Sequence, residues 1–390
     1  MWEIIPNSIK ELHALFTANG KQLFIVGGCV RDFLLNKAPK DWDLATDATP
    51  EETLSITKKY KSHLHGKSFG VVVVYTTDNP EGFEIATFRE DVYGALLGET
   101  RNPEVRFVST IDEDVNRRDL RFNALFYDLD KHEVVDLVGG IDDINNKITS
   151  FVGDPVLRIT EDPLRIQRFV RFGTRLGFDF DEASNQAILD NVGKLSIITR
   201  ERVWEEMEKA YEQVEDFNNY IRHLIGFGIT SVVFDTVNIN THYVEDTKFS
   251  SLEMCLAHLF SGNSTTGLQH TLVQRFKIPK DVARKVIFFL DILHVTAATA
   301  VHLYGKKNVS VTSDEELEEW FNFIEEFTEE ELPVEVRVFT AFKPTIKALE
   351  LKAQGFSDAA LGKEIARLEI IEYNKLCNFW HNTTGGYKTI

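Results

Sequence analysis

The chain has 390 residues, 43% of them apolar and 29 of them phenylalanine. That is enough core material for two to four structural modules and too much for a disordered polymer. A formal net charge of −18 excludes binding of nucleic acid through overall positive charge, since phosphate contacts are made by Lys and Arg. No run reaches the roughly 18 uninterrupted apolar residues of a membrane span. The N-terminus, Met-Trp-Glu-Ile-Ile-Pro, lacks the basic region and cleavage site of a secretory signal. Three scattered cysteines, Cys29, Cys255 and Cys377, form no C-x-x-C pair, so neither a disulfide framework nor a zinc site is expected. These features predict a cytoplasmic protein without membrane or zinc; nothing in the sequence sets its oligomeric state.

In chain order, the first strong signal is the apolar run 23–26 closing on Gly27-Gly28. It reads as a buried strand ending in a tight turn, whose glycines let backbone N–H groups approach a ligand such as a phosphate. A second strand follows, carrying Asp41 and Asp43. Side chains alternate along a strand, so both face one side while Trp42 faces the other. Two carboxylates beside such a turn suit Mg²⁺, which takes oxygen ligands and keeps substrate phosphates in its shell. Strands are further predicted at 71–75, 83–88, 105–108, 124–128 and 134–138. In the second of these, Glu84 alternates with Phe83 and Ile85. Arg117-Arg118-Asp119 precedes Asn123 at the entrance to an apolar run.

From about residue 151 strand signals nearly vanish and helical periodicity takes over. Pro163 suits the first position of a helix, which leaves Asp162 either as its N-cap or as a free carboxylate. Asp162 and Arg165, three residues apart, are able to project together. Arg165, Arg168, Arg171 and Arg175 fall on about a third of the helix circumference. Four cations there exceed what a solvated helix needs, and contacts to an anionic ligand are favoured. Ser313-Asp-Glu-Glu316 reads as a capping box opening a helix whose apolar stripe is Leu317, Trp320, Phe321, Ile324 and Phe327. Its glutamates are expected to form a solvated face. Basic residues gather at 58–61, 117–121, 165–175 and 275–285.

Gly27-Gly28-x-Val30-Arg31-Asp32 followed by Asp41-x-Asp43-Leu44 resembles the first motif of the class II tRNA nucleotidyltransferases, the family of CCA-adding enzymes and bacterial poly(A) polymerases. Four more motifs follow in the family's order: the Glu84 strand, Arg117-Arg118-Asp119 with Asn123, Glu161-Asp162-Pro163-Leu164-Arg165, and Glu201-Arg202 with Glu206. The resemblance covers residues 23 to about 210. It implies an α+β chain: a polymerase-β-like nucleotidyltransferase α/β head (1–150), then an all-helical neck (151–225), body (226–310) and tRNA-binding tail (311–390). It further implies template-independent addition of C, C and A to the tRNA 3′ end from CTP and ATP. Asp41 and Asp43 would hold two Mg²⁺ and Glu84 would supply the third catalytic carboxylate.

Nucleotide binding is implied for Gly27, Gly28, Arg31, Arg118, Asp119, Asn123, Asp162, Arg165, Arg168 and Arg171. In that role Asp162 accepts from the exocyclic amine of cytosine or adenine while Arg165 donates to the neighbouring ring acceptors, and uracil and guanine mismatch both. Residues 89–103 resemble the family's flexible loop, and Lys67-Ser-Phe-Gly70 resembles the CCA-adding side more than the polymerase side. Arg121, Phe122, Gln167 and Phe169 depart from the family pattern, which leaves local packing at those positions open. The rivals are a poly(A) polymerase, an enzyme adding only CC or only A, a non-catalytic RNA-binding relative, and a small-molecule nucleotidyltransferase.

Overall fold

The computed structural model describes residues 1–65, 70–93, 104–242, 249–296, 300, 303–304, 312–340, 342 and 344–384. The chain divides into two compact units, Met1–Asp216 with Gly226–Val232, and Phe217–Ile225 with Val233–Ile390. Most of the loop-like stretch 89–103 and all but the last residue of 67–70 lie outside the described residues.

The first unit opens with α1 (Asn7–Ala18), β1 (Leu23–Val26), α2 (Gly28–Leu34), β2 (Asp43–Thr46) and α3 (Pro50–Ile56). There follow β3 (Lys61–His65), β4 (Val71–Tyr75), β5 (Phe83–Thr87), β6 (Arg89–Val92), β7 (Glu104–Phe107), α4 (Ile111–Asp114), β8 (Phe126–Asp128) and β9 (Glu133–Val135). Seven of these strands form one mixed sheet in the order β3-β4-β5-β2-β1-β8-β9, and β6 pairs with β7 apart from it. All four residues of β1 are buried, as a strand covered on both faces requires. On one side α1 packs against it, with Ile9, Leu12 and Phe16 fully buried. On the other, Phe24 and Val26 join Ala45, Phe88, Ala124 and Phe126 in a continuous core.

Of the strands named above, β3 and β6 were absent from the sequence reading, as was the short parallel pair Ile148–Thr149 and Asp179–Phe180. β3 is Lys-Ser-His-Leu-His at the sheet edge, and β6 is Arg-Glu-Asp-Val. Neither contains an apolar run: β3 lies at the sheet edge with alternate side chains exposed, and in β6 Arg89 pairs with Asp91 at 3.0 Å. One expected strand begins later than predicted: β2 starts at Asp43, and Asp41 lies in the irregular segment before it.

Helices complete the unit: α5 (Gly140–Asn146), α6 (Pro155–Glu161), α7 (Leu164–Leu176), α8 (Glu182–Asn191) and α9 (Arg200–Gln213). The departures from the family pattern sit in well-packed surroundings. Phe169 stacks between Phe151 and Phe180, with ring centroids 4.8 and 5.2 Å away. Gln167, fully buried on α7, donates to the Val203 carbonyl at the start of α9. Phe122 meets Phe172 and Phe178 edge to face. Arg121 donates to the Phe151 carbonyl at 3.2 Å and faces Asp143.

The described part of the second unit is helical, as the α+β class predicts. Its helices include Leu252–Leu259, Lys280–Leu293, Asp314–Thr328 and Asp358–Thr384. Ser313 and Glu316 form the expected capping box, and Leu317, Trp320, Phe321 and Ile324 are buried. The glutamates beside them are not simply a solvated face. Glu316 pairs with Lys285 at 2.5 Å, Glu319 accepts from Ser250, and Glu325 and Glu318 pair with Arg337. These acids fasten the unit together, which the spacing along a single helix does not reveal. Among the described residues no helix is long and apolar enough to cross a membrane.

Candidate active site

Pairing in the sheet lines up one row of side chains on the face that carries Phe24. Phe126 lies opposite Val26, and Val26 lies opposite Asp43. One step back along the parallel β2–β5 register from Leu44 and Ile85 places Glu84 beside Asp43. Directly paired residues project from the same face, so Asp43 and Glu84 continue the row that Phe126 and Val26 begin.

The turn after β1 packs against that row. Gly27 adopts φ +77°, a conformation glycine takes without strain, and its N–H donates to the Leu125 carbonyl. A Cβ on Gly27 would sit 3.8 Å from Asp43 Oδ2, and one on Gly28 would sit 3.5 Å from Arg31 Nη2. The backbone therefore runs between a carboxylate and a guanidinium with no side chain intervening.

Asp43 is open to the cleft on one side and walled by the sheet on the other. Burial, with Glu84 and Asp41 nearby, pushes its carboxyl up to about 6 despite the pull of Arg118. Among the described residues, the oxygens of Asp41, Asp43 and Glu84 take no hydrogen bond or ion pair. Mutually repelling, unneutralised carboxylates suit a divalent cation. The described residues hold no group of three or more His, Cys, Asp or Glu placed to bind a metal by themselves. Asp41 and Asp43 line the cleft and Glu84 does not.

That cleft has a volume of about 1630 Å³ and brings together all the residues for which nucleotide binding was expected: Gly27, Gly28, Arg31, Arg118, Asp119, Asn123, Asp162, Arg165, Arg168 and Arg171. Most of them are already partnered. Arg31, 2% exposed, donates from Nε and Nη2 to Asp32 and from Nη1 to Asn123 Oδ1 at 2.5 Å. Arg118 lies over the Phe126 ring at 4.7 Å and pairs with Asp114 at 2.9 Å. Asp114 is fully buried and also takes Arg117 at 2.8 Å. Burial alone would raise the Asp114 carboxyl, but Arg118 and Arg117 outweigh it and hold the group below the ordinary carboxylate range.

Asp162 and Arg165 share the cleft wall, and each already has partners within the chain. Asp162 accepts the Leu164 N–H at 3.2 Å through one oxygen, as a capping residue does, and pairs with Arg202 at 2.8 Å through the other. Arg165, 6% exposed, bonds Glu161 at 2.6 Å and the Arg117 carbonyl at 2.8 Å. The arginine face of α7 is likewise matched within the chain. Arg168 pairs with Asp119 at 2.6 Å, and Arg171 pairs with Glu206 and Gln213 at 2.8 and 2.9 Å. Asp119 anchors Arg168, and its other oxygen accepts the Leu120 N–H.

Asp114, Glu161, Glu206 and Phe172 were not singled out for these roles. Asp114 had a local signal, standing three and four residues before Arg117 and Arg118. Glu206 lies 35 residues from Arg171, so only the packing of α9 on α7 reveals that pair.

Comparison with known proteins places this geometry. Residues 23–150 match the family model for the poly A polymerase head domain, and residues 177–238 match that for a probable RNA and SrmB-binding site of polymerase A. The chain is similar to the CCA-adding enzyme of Lactobacillus helveticus, 41% identical over 204 residues, which are 52% of this chain and 49% of that protein. It is also similar to poly(A) polymerase I of Escherichia coli O157:H7, 30% identical over 271 residues, 67% of this chain and 56% of that one. The chain thus spans about half the length of the curated relatives it matches. Its fold is that of the Bacillus stearothermophilus CCA-adding enzyme crystallised with CTP. The TM-score is 0.64 at 22% identity, covering 94% of this chain and 91% of that one.

Proposed function

We propose that the chain is a member of the class II tRNA nucleotidyltransferases and poly(A) polymerases that its matches point to, and that it adds C, C and A to the 3′ end of tRNA from CTP and ATP. The transfer uses no nucleic-acid template and releases pyrophosphate. The observation that carries this reading is the single cleft joining the Gly27-Gly28 turn and the Asp41 and Asp43 carboxylates to the Asp162 and Arg165 wall.

The backbone at Gly27 and Gly28, with the remaining N–H groups of Arg31, receives the triphosphate. Asp41 and Asp43 would hold Mg²⁺, and Glu84 stands beside Asp43 in the sheet register. When bound, the metal neutralises phosphate charge and favours the deprotonated 3′-hydroxyl as nucleophile. Arg118, braced by Asp114, offsets charge that develops beside Asp43. No covalent intermediate with the protein is required, since positioning and charge neutralisation supply most of the catalysis in such transfers.

Base choice uses Asp162 and Arg165 after one exchange of partners. Asp162 releases Arg202 and accepts instead from the exocyclic amine of cytosine or adenine. Arg165, held by Glu161, offers its remaining donors to the ring acceptors. A wrong base leaves both groups facing a like partner, costing about 1–3 kcal/mol for each unsatisfied group.

One observation favours a second reading, poly(A) synthesis: the match to the poly(A) polymerase runs over 271 residues, further than the 204 matched to the CCA-adding enzyme. Cytoplasmic residence belongs to the proposal, as do the 1–150 head, 151–225 neck, 226–310 body and 311–390 tail. The direct test is which acceptor the protein labels: tRNA, generic RNA, a small molecule or none.

A further inference from the structure

Phe172, on α7, lines the cleft and carries no polar group, yet three arginines surround its ring. The guanidinium carbon of Arg171 lies 4.3 Å from the ring centroid, that of Arg31 5.6 Å and that of Arg168 5.7 Å. All fall within the range at which a cation is drawn to an aromatic face. The three come from two elements, α2 and α7, and each is also tied to acids or amides at its outer end. Arg31 holds Asp32 and Asn123, Arg168 holds Asp119, and Arg171 holds Glu206 and Gln213. Phe122 braces the ring edge to face at 6.3 Å.

Like charges this close repel, and the acids answer them only in part: Glu206 pairs with Arg171 at 2.8 Å and Arg168 at 3.8 Å, while Arg31 pairs with Asp32. The Phe172 ring lies within 6 Å of all three guanidinium carbons, and its negative π-face attracts each of them toward that common centre. Arg31 in turn lies against the Gly28 backbone, so this arginine fan reaches the turn assigned to the triphosphate. We propose that Phe172 is a positioning residue for nucleotide phosphates, its ring gathering Arg31, Arg168 and Arg171 into one preorganised anion-binding wall. This rests on the nucleotidyl-transfer reading given above.

The test measures Kd for CTP, CDP and CMP at fixed Mg²⁺, using the full chain without tRNA. The gap between CTP and CMP reports the contacts made by the β- and γ-phosphates, with Mg²⁺ held constant across variants. Phe172→Leu keeps apolar bulk and removes the π-face. Its CTP affinity is expected to fall roughly 10-fold with CMP affinity changed less than about 2-fold, and Phe172→Tyr is expected to restore the gap. A ring-fluorinated phenylalanine at the same position preserves shape while weakening the face, so it carries the test should the leucine variant fold poorly; it is expected to narrow the gap as well. An unchanged gap in both, or an equal loss for CTP and CMP, would overturn the proposal and leave Phe172 a packing residue. Wild-type protein that binds none of the three nucleotides would overturn the transfer reading itself, and this inference with it.

Discussion

Arg171 and Glu206 meet at 2.8 Å with side chains only 4% and 2% exposed, joining two helices whose pairing lies 35 residues apart in the chain. A buried pair of this kind is a poor source of net stability, but removing one partner strands the other's charge. Glu206→Ala is therefore expected to destabilise the first unit by about 3–5 kcal/mol, read by chemical denaturation. Glu206→Gln keeps one acceptor and is expected to cost clearly less. Equal, small losses for both would show that the arginine does not depend on this acid.

Arg165 and Asp162 lead to a prediction about selectivity. Arg165→Ala is expected to relax the choice among nucleotides, raising UTP and GTP incorporation relative to CTP and ATP about 10-fold or more, since one missing donor set is worth about 1–3 kcal/mol. Arg202→Ala frees Asp162 and is expected to leave discrimination in place. Competition assays with mixed nucleotides check both. Unchanged discrimination in Arg165→Ala would return Asp162 and Arg165 to a capping and packing role.

The carboxylate row yields a contrast between activity and folding. Asp41→Ala and Asp43→Asn are each expected to abolish incorporation while tRNA binding is largely kept. Asp43→Asn also removes the repulsion from Glu84 and Asp41, so its melting temperature is expected to match or exceed that of the wild type. Retained incorporation in Asp41→Ala would overturn the metal assignment.

Asp143 supplies a pH dependence away from the site. It is 6% exposed, and burial pushes its carboxyl up to about 6 in spite of Arg121. A raised carboxylate pKa favours the folded state fully below the unfolded value near 3.8 and loses that contribution as pH rises through 6. At pH 7 the ionised group is a liability. Asp143→Asn is expected to be more stable than wild type there by about 1–2 kcal/mol, the advantage shrinking to nothing below pH 4. Melting curves across that window would reveal a constant difference if burial of this charge were not the cause.

A steric prediction comes from Gly140, where an added Cβ would overlap the Arg121 carbonyl. The obstacle is backbone and cannot rotate away, so Gly140→Ala is expected to cost several kcal/mol or prevent folding. Gly139→Ala, with open space around it but a left-handed φ of +83°, is expected to cost about 1 kcal/mol. Comparing soluble yield and melting temperature of the two separates steric from conformational cost.

What the sequence made legible was local. The apolar run before Gly27-Gly28, the alternation around Glu84 and the Ser313 capping box each depend on spacing within a few residues, and each stands in the structure. The arginine face of α7 was also legible as a face, but its meaning was not. Periodicity counts the cations on one helix and is blind to Asp119 and Glu206, which reach them from other elements. The polar strand β3 escaped for the opposite reason: sheet pairing holds it, and pairing leaves no apolar signature. Asp162 shows both limits at once. Its capping bond to Leu164 was readable from Pro163, whereas its pair with Arg202 required the packing of α9.

The measurement that bears most directly on the account is nucleotide addition resolved at single-residue length. Purified protein and Mg²⁺ would be given tRNA ending at the discriminator base, at C or at CC, with CTP, ATP or both. The account predicts addition of C, then C, then A, followed by arrest. A long ladder of A would contradict it in favour of a poly(A) polymerase, and no product from any of the three acceptors would contradict catalysis altogether.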